Sequence, residues 1–320
     1  MKMKITKTLA IAATAGALVS LGLAGCSSSK DTSASCGTSS GSVSDSIKAT
    51  GAVGKAPKVS FEKKLTTKTT QKSTIVKGKG SLVKAGQPVV FQVSLYDGAT
   101  GKKATATDYT SSGTYLVAGK GESLNALSEG LVCSHVGDRI AIAGSAKDST
   151  NGQGISQYKI GAKDSVVFVA DILKAFPAKA TGTAEKPVAG ESTVKVAKNG
   201  TPTITVSKAT PPTTLKATTL IKGSGSKVAK GDSIMVQYTG AVYKTGTVFD
   251  SSWAKKQPFV ATLTTGSIIP GWVDGLSGKT VGSQVLLTIP PKEGYGSNAQ
   301  TGIPADSTLV FVVDILGKVS

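Results

Sequence analysis

The sequence predicts an α+β fold of two tandem modules, each an antiparallel five-stranded sheet wrapped around a short helix. Three observations support this prediction: a long internal repeat, β-branched runs separated by Gly, Pro and Lys, and one short helical pattern between two of those runs. The 320 residues are enough for two domains. An apolar content of 39%, with 5% aromatic residues and 38 glycines, is typical of a folded chain rich in strands and turns.

The internal repeat relates two stretches of the chain at an offset of 145 residues. Residues 75–81 (IVKGKGS) match residues 220–226 (LIKGSGS), and residues 167–173 (VFVADIL) match residues 310–316 (VFVVDIL) at an offset of 143. A duplication of this length predicts two similar folds. We assign the first copy to residues 57–176, a linker with prolines, glycines and alternating charges to 177–201, and the second copy to 202–320.

Strands and one helix can be placed in the second copy. Between the third and fourth strands, residues 270–279 (PGWVDGLSGK) begin with proline and end with glycine and lysine, as short helices do. Trp272 and Leu276 are four residues apart and share one helix face, which we expect to pack on the sheet. The β-branched and apolar runs that predict the five strands are residues 215–221, 233–243, 259–263, 283–289 and 308–316.

The first 25 residues are predicted to be a secretion signal. Three lysines precede residues 9–23, an uncharged run of 15 residues that is shorter than the about 20 needed to span a membrane. Residues 23–26 (LAGC) resemble the lipobox of bacterial lipoproteins, the alternative being a chance cysteine beside a cleavage site. We therefore expect Cys26 to carry the acyl chains, palmitate among them, that anchor an extracytoplasmic protein to the bacterial cell membrane.

Residues 26–56 are predicted to be a Ser/Gly-rich tether, because they hold too few apolar side chains to offset the entropy cost of ordering. Besides Cys26, the chain has two cysteines, Cys36 in this tether and Cys133 in the first copy. In an oxidising compartment such a pair is more often bridged than free. We expect a disulfide between Cys36 and Cys133, with two free thiols as the alternative.

Charge and composition exclude several functions. The net charge of +18 is spread along the chain, and Arg139 is the only arginine, whereas nucleic-acid surfaces favour the bidentate arginine side chain. We therefore expect no nucleic-acid partner. The single histidine, His135, lies two residues from Cys133, and one such pair predicts neither a metal site nor a nucleophilic enzyme. No metal or cofactor is expected.

Seven short stretches of the second copy carry a family resemblance. They are residues 236–240 (VQYTG), 246–252 (GTVFDSS), 257–259 (QPF), 268–272 (IIPGW), 281–283 (VGS), 289–296 (IPPKEGYG) and 303–311 (IPADSTLVF). In this order and at this spacing they resemble the FKBP-type peptidyl-prolyl isomerases, over residues 215–319. The resemblance implies two FKBP-like modules and, in the second, an apolar cup that receives a proline side chain. The implied site residues are the floor Trp272, the walls Tyr238, Phe249, Phe259 and Phe311, the polar Asp250 and Tyr295, Ile269 with its backbone N–H beside the substrate, and Ile268 and Ile303 at the rim.

Each of these residues also fits an ordinary structural role. Any one of these aromatic side chains fits ordinary core packing, and Asp250 fits a turn residue that caps backbone N–H groups. The first copy has Val93 at the position of Tyr238 and Leu127 at that of Trp272, and its residues 141–150 lack the tyrosine of the GYG stretch. We expect the first copy to keep the fold and to lack the cup.

The function implied by the resemblance is isomerisation of X-Pro bonds in secreted or envelope proteins. The cup would bind the twisted amide without a covalent or acid–base step. Proline-containing protein segments would be the substrates, and macrolide inhibitors are candidate ligands of the same cup. The alternative is a non-catalytic chaperone or scaffold in which both copies hold unfolded or partner chains.

Overall fold

The computed structural model describes residues 36–110, 113–119 and 124–319. The predicted signal segment, the lipidation site Cys26 and the tether up to residue 35 lie outside the described residues. Within the described ranges, no helix is long and apolar enough to cross a membrane.

The first half of the chain is built on a six-stranded antiparallel sheet. Its elements are α1 (Ser42–Asp45), β1 (Lys48–Thr50), β2 (Lys58–Ser60), β3 (Gln71–Val76), β4 (Pro88–Asp97), β5 (Lys103–Ala106), β6 (Thr114–Val117), α2 (Asn125–Leu131), β7 (Arg139–Gly144), α3 (Ala146–Thr150), a 3-10 turn (Ser156–Tyr158) and β8 (Val166–Ala175). The strand order is β3-β7-β8-β4-β5, and β6 also pairs with β4. One face of this sheet and α2 bury an apolar core that includes Phe91, Leu127 and Phe168.

The second half repeats this arrangement. Its elements are β9 (Thr183–Ala184), β10 (Thr193–Val196), β11 (Pro202–Thr205), β12 (Lys216–Lys222), β13 (Ser233–Val242), β14 (Val248–Ser251), β15 (Phe259–Thr262), α4 (Pro270–Leu276), β16 (Gln284–Ile289), a 3-10 turn (Pro291–Glu293) and β17 (Leu309–Lys318). The strand order is β14-β13-β17-β16-β12-β9, and β15 also pairs with β13. The strands from β12 to β17 follow the order of β3 to β8, so the predicted α+β class with two similar modules is confirmed.

The first sheet has six strands and the second has seven, where five were predicted for each. Two strands of the second sheet were not predicted. One added strand is β9 at the outer edge, and the other is β14. Both β14 and β15 pair with the same edge of β13, β15 along residues 233–236 and β14 along residues 239–241. The run 248–251 (VFDS) is short and half polar, so its residue pattern does not predict a strand.

Residues 36–56 are folded, which corrects the prediction of a tether for this part of the chain. β1 pairs antiparallel with β2, and Ile47 and Ala49 pack against Val167 and Val169. Side chains alternate between the two faces of a strand, so this contact lies on the sheet face opposite α2. Cys36 is bonded to Cys133 in a disulfide with the two Cα atoms 5.7 Å apart, which ties the segment to the end of α2.

Arg139 explains why a segment with few apolar side chains is ordered. Its fully buried guanidinium forms an ion pair with Asp171 at 2.6 Å. It also donates hydrogen bonds to the carbonyl oxygens of Gly51, Ala52 and Lys55 at 2.7 to 2.9 Å. A buried ion pair needs such additional bonds to offset its desolvation. The backbone of residues 51–55 therefore supplies contacts that a count of apolar side chains misses.

Residues 177–201, predicted to be a linker, pack on the second sheet. β9 pairs with β12, and β10 forms a hairpin with β11. Val194 packs on Leu286, and the Ala180 N–H donates a 2.8 Å hydrogen bond to the buried carboxylate of Asp314. The segment is therefore part of the second module, and its proline and glycine content did not reveal these pairings.

The two modules meet through an apolar cluster, which we call the inter-module cluster. Its buried members are Val90, Phe176, Met235 and Leu316, surrounded by Tyr115, Leu173, Val260 and Val319. These eight residues are four matching pairs of the sequence repeat, 90 with 235, 115 with 260, 173 with 316 and 176 with 319. Both modules therefore use the same patch of surface.

Contacts across this interface are also reciprocal. The Phe176 ring lies over Gly317, where a Cβ atom would be 2.4 Å from the ring, so only glycine allows this approach. At the matching positions, the Lys174 ammonium donates to the Val319 carbonyl. Reciprocal use of one patch is the pattern of a twofold interface.

Candidate functional site

A cavity of about 500 Å³ opens in the second module between β13, β14, β15 and the beginning of α4. We call it the cup. Nine of the ten residues predicted for the site line it, and Gly266, Ser267 and Pro270 complete the lining. The nine are Tyr238, Phe249, Asp250, Phe259, Ile268, Ile269, Trp272, Tyr295 and Phe311.

Trp272 forms the buried floor of the cup. It is the third residue of α4, which begins at Pro270 with Ile269 as the N-cap residue. Its ring centroid lies 5.3 Å from that of Phe311, 5.4 Å from that of Tyr238 and 6.3 Å from that of Phe259, with interplanar angles of 82 to 88°. Edge-to-face packing is the preferred arrangement of aromatic pairs, and each pair holds its neighbours in place. The cup is therefore a preformed aromatic cavity.

Gly240 provides the space for two of the walls. It lies opposite both Phe311 and Asp250 in the strand register. A Cβ atom there would be 2.6 Å from the Phe311 ring and 2.7 Å from the Phe249 ring. Gly240 lies in the matching stretch 236–240, and the family resemblance implied no role for it. One feature of the sequence points to this role: at the matching position of the first copy, which lacks the cup, stands the bulky Leu95.

The polar side of the cup is a chain of hydrogen bonds centred on Asp250. The Tyr238 hydroxyl donates to Asp250 Oδ2 at 2.7 Å, and the Lys255 ammonium lies 2.6 Å from Asp250 Oδ1. Partial burial would raise the pKa of Asp250, but the hydrogen bonds from Lys255 and Tyr238 and the charge of Lys255 outweigh it and lower the pKa below its usual value. Asp250 is therefore an anion that already has two partners.

The two tyrosines of the cup are neutral near neutral pH. Burial, followed by the hydrogen bond to the Asp250 carboxylate, raises the pKa of Tyr238 far above its usual value. Burial also raises the pKa of Tyr295, and the negative charge of Asp250 adds to the effect. Both phenols can donate hydrogen bonds, and neither loses a proton in the neutral range.

Ser252 fixes β14 against β13 and was missed as a functional residue. Its buried hydroxyl accepts a 2.8 Å hydrogen bond from the Tyr238 N–H and donates to Gln237 Oε1. These bonds hold the chain that carries Phe249 and Asp250 close to Tyr238. A serine in a turn is too common for sequence alone to reveal this role.

Ile303 does not line the cup, which corrects its predicted place at the rim. Reciprocal 2.9 Å hydrogen bonds between the backbones of Gln300 and Ile303 close a tight turn. The side chain is only 5% exposed and belongs to the apolar core that also contains Trp272 and Phe311. Burial of the isoleucine stabilises the turn.

The first module has the same strand register without the cup residues. Val93 pairs with Ala170 as Tyr238 pairs with Val313, and Leu95 pairs with Thr105 as Gly240 pairs with Asp250. Threonine thus stands where the second module has its carboxylate. Leu95 and Leu127 are buried in the core of the first module.

His135 and Cys133 have structural partners in the first module. Cys133 is in the disulfide, and the His135 backbone N–H donates to Asp138 at 2.7 Å. Across the part of the chain that the structure describes, no group of three or more His, Cys, Asp and Glu side chains is placed to hold a metal ion.

Comparison with known proteins places the second module in a family. A family model described as FKBP-type peptidyl-prolyl cis-trans isomerase matches residues 224–316. An FK506-binding protein of Neisseria meningitidis serogroup B is 43% identical over 98 residues, which are 30% of this chain and 89% of that relative. The chain therefore belongs to the FKBP-type peptidyl-prolyl cis-trans isomerase family.

Other relatives share only part of their length with this chain. FK506-binding protein 2B of Rhizopus delemar is 46% identical over 91 residues, which are 28% of this chain and 44% of that protein. The crystal structure of FkpA from Escherichia coli is 30% identical, with 41% of this chain and 52% of that chain covered and a TM-score of 0.31.

Proposed function

We propose that this chain is a peptidyl-prolyl cis-trans isomerase that acts on proline-containing segments of secreted or envelope proteins. The observation that carries the proposal is the cup, whose aromatic floor and walls enclose about 500 Å³, enough to hold a proline ring with its flanking backbone. Membership of the isomerase family supports the reaction type. The substrate class and the mechanism are our inference from the residues of the cup.

The reaction needs no bond to break. Rotation about an X-Pro bond is opposed by amide resonance, with a barrier of about 18 to 20 kcal/mol. A site lowers this barrier when it binds the twisted amide better than the planar one. The twisted amide is less polar, so the buried rings of Trp272 and Phe311 favour it by solvating the planar form poorly. Tyr295 and the backbone at Ile269 lie on the lining and can donate hydrogen bonds to the bound chain.

Acid–base catalysis has no suitable group in the cup. The only histidine is in the first copy. Asp250 is held as an anion by Lys255 and Tyr238, and the two phenols stay protonated because their pKa values are raised. We infer that Asp250 orients Tyr238 and does not exchange protons with the substrate.

The site of action is also part of the proposal. The signal-like first 25 residues and the LAGC stretch support a lipid anchor at Cys26 on the outer face of a bacterial cell membrane. Cys26→Ser should release the chain from the membrane fraction or leave the signal uncleaved. A Cys26→Ser chain that still takes up labelled palmitate and sediments with membranes would contradict the anchor.

The decisive experiment measures isomerisation of a short proline peptide by the full chain. We expect catalysis, and we expect the macrolide FK506, after which the relatives are named, to compete for the same cup. A chain that suppresses aggregation of an unfolded protein and does not accelerate the peptide reaction would favour the alternative, a non-catalytic chaperone.

A further inference from the structure

Tyr115 of the first module touches the strand that carries one wall of the cup. Its hydroxyl donates a 3.2 Å hydrogen bond to the Pro258 carbonyl, 143 residues further along the chain. Pro258 has no N–H, so its carbonyl is the backbone group through which this point of the chain can be held.

The next residue after this contact, Phe259, begins β15 and is a wall of the cup. The Phe259 ring lies 5.9 Å from that of Tyr238 and 6.3 Å from that of Trp272. Val260 belongs to the inter-module cluster with Tyr115 and Met235. Side chains alternate along a strand, so Phe259 faces the cup while Val260, the next residue, faces the first module.

The beginning of β15 has less support than its end, where Ala261 is buried in the core and Thr262 bonds to Ser233. It is four residues long and pairs with one strand, β13. The Phe259 side chain is 40% exposed, so core packing does not fix it as it fixes Trp272, which is 3% exposed. Short edge strands open readily unless something covers them. The first module covers the outer face of β15.

We propose that Tyr115 is a positioning residue of the isomerase site: through Pro258 and Val260 it holds β15, and so sets the place of the Phe259 wall. The first module, which has no cup of its own, then supports the cup of the second. This inference rests on the proposed isomerase function and adds a role for the first module.

Tyr115→Phe in the full chain tests the proposal, because it removes the hydroxyl and keeps the ring in the inter-module cluster. A wall that contacts the planar and the twisted amide alike contributes uniform binding. We therefore expect KM for a proline peptide to rise about threefold with kcat unchanged. A threefold change is the effect on substrate binding if the displaced Phe259 wall loses about half the net free energy of one hydrogen bond. Tyr109→Phe is the matched control, since its hydroxyl bonds to Ser94 within the first module at 3.0 Å. It should leave KM and kcat unchanged.

Two further measurements show whether the effect passes through β15. In a Phe259→Ala background, Tyr115→Phe should change KM no further, because the wall it positions is gone. Hydrogen exchange of a peptide covering residues 257–264 should be faster in Tyr115→Phe than in the unmutated chain.

The outcomes separate the two proposals. A full chain with no isomerase activity refutes the proposed function, while the exchange experiment still tests the contact. An active chain in which Tyr115→Phe changes neither KM nor exchange, or in which Tyr109→Phe has the same effect, refutes the positioning role. Persistence of the KM change in the Phe259→Ala background refutes it as well.

Discussion

Trp272→Leu should remove most of the isomerase activity, because it gives the cup the floor residue of the first copy, Leu127. The indole lines the bottom of the cavity and packs against the rings of the three aromatic walls Tyr238, Phe259 and Phe311. Trp272 is only 3% exposed, so it acts mainly by holding these rings in place, and the loss of one edge-to-face contact from that arrangement is worth about 1.5 kcal/mol. This predicts about a tenfold fall in kcat/KM, and more if the floor contacts strengthen in the twisted state.

The same substitution should cost less stability than a usual Trp truncation. Trp272 makes three edge-to-face ring contacts, worth about 0.5 to 1.5 kcal/mol each. Leucine keeps part of the buried apolar surface, so the loss should stay below the about 3 to 5 kcal/mol of a Trp→Ala change. We therefore expect the free energy of unfolding to fall by about 2 to 3 kcal/mol.

The assay pairs proline-peptide isomerisation with urea unfolding of the same preparations. Trp253→Leu is the matched control, because Trp253 lies beside Gly200 outside the cup lining. It should keep kcat/KM. A folded Trp272→Leu chain with unchanged kcat/KM would show that the indole floor does not contact the reacting proline, and the proposed site would be wrong.

The remaining predictions concern pH, the disulfide and residues 177–201. Because Asp250 has a lowered pKa and the cup tyrosines have raised ones, kcat/KM for an uncharged peptide should be flat from about pH 5.5 to 8.5, and a bell-shaped profile would contradict this. The stability that Asp250 contributes is fully present above its unfolded-state pKa of about 3.9 and should be lost as the pH falls further, as urea unfolding at pH 3 to 5 would show. Mass spectrometry of unreduced peptides should find Cys36 linked to Cys133, and reduction of this bond across 97 residues should lower the free energy of unfolding by about 4 kcal/mol, whereas two alkylatable thiols would rule it out. A fragment of residues 177–320 should be more stable than one of 202–320 by about 2 kcal/mol, because the shorter one leaves Asp314 without the Ala180 N–H; equal urea midpoints would contradict this.

The sequence was sufficient to predict the fold class and most of the cup, because both depend on patterns carried by neighbouring residues. The repeat and the β-branched runs predicted two similar sheets, and the pattern around Trp272 predicted α4 within three residues at its end. Nine cup residues followed from a resemblance spread over seven stretches. Ile303 is not part of the lining because its side chain packs into the core of the second module.

The remaining features depend on contacts between residues far apart in the chain. In the sequence, Arg139 bears only on nucleic-acid binding, which a single arginine argues against. In the structure it holds residues 51–55 through hydrogen bonds to their backbone carbonyls. Backbone carbonyls are the same in every sequence, so composition could not reveal this. The contact from Tyr115 to Pro258 likewise becomes visible only when the two modules are packed together.

The matching pairs of the inter-module cluster bear on how this chain arose. An interface that uses one patch twice is the form taken by a homodimer of identical subunits. Here the subunits are consecutive copies in one chain, so the arrangement is what gene duplication and fusion of a self-associating module would leave. Fusion makes the contact permanent and independent of concentration. Selection then has to preserve the contact patch on both copies but the cup on only one. The interface residues Val90 and Met235 therefore stay apolar in both copies, while Leu95 and Leu127 occupy the place of the cup in the first copy.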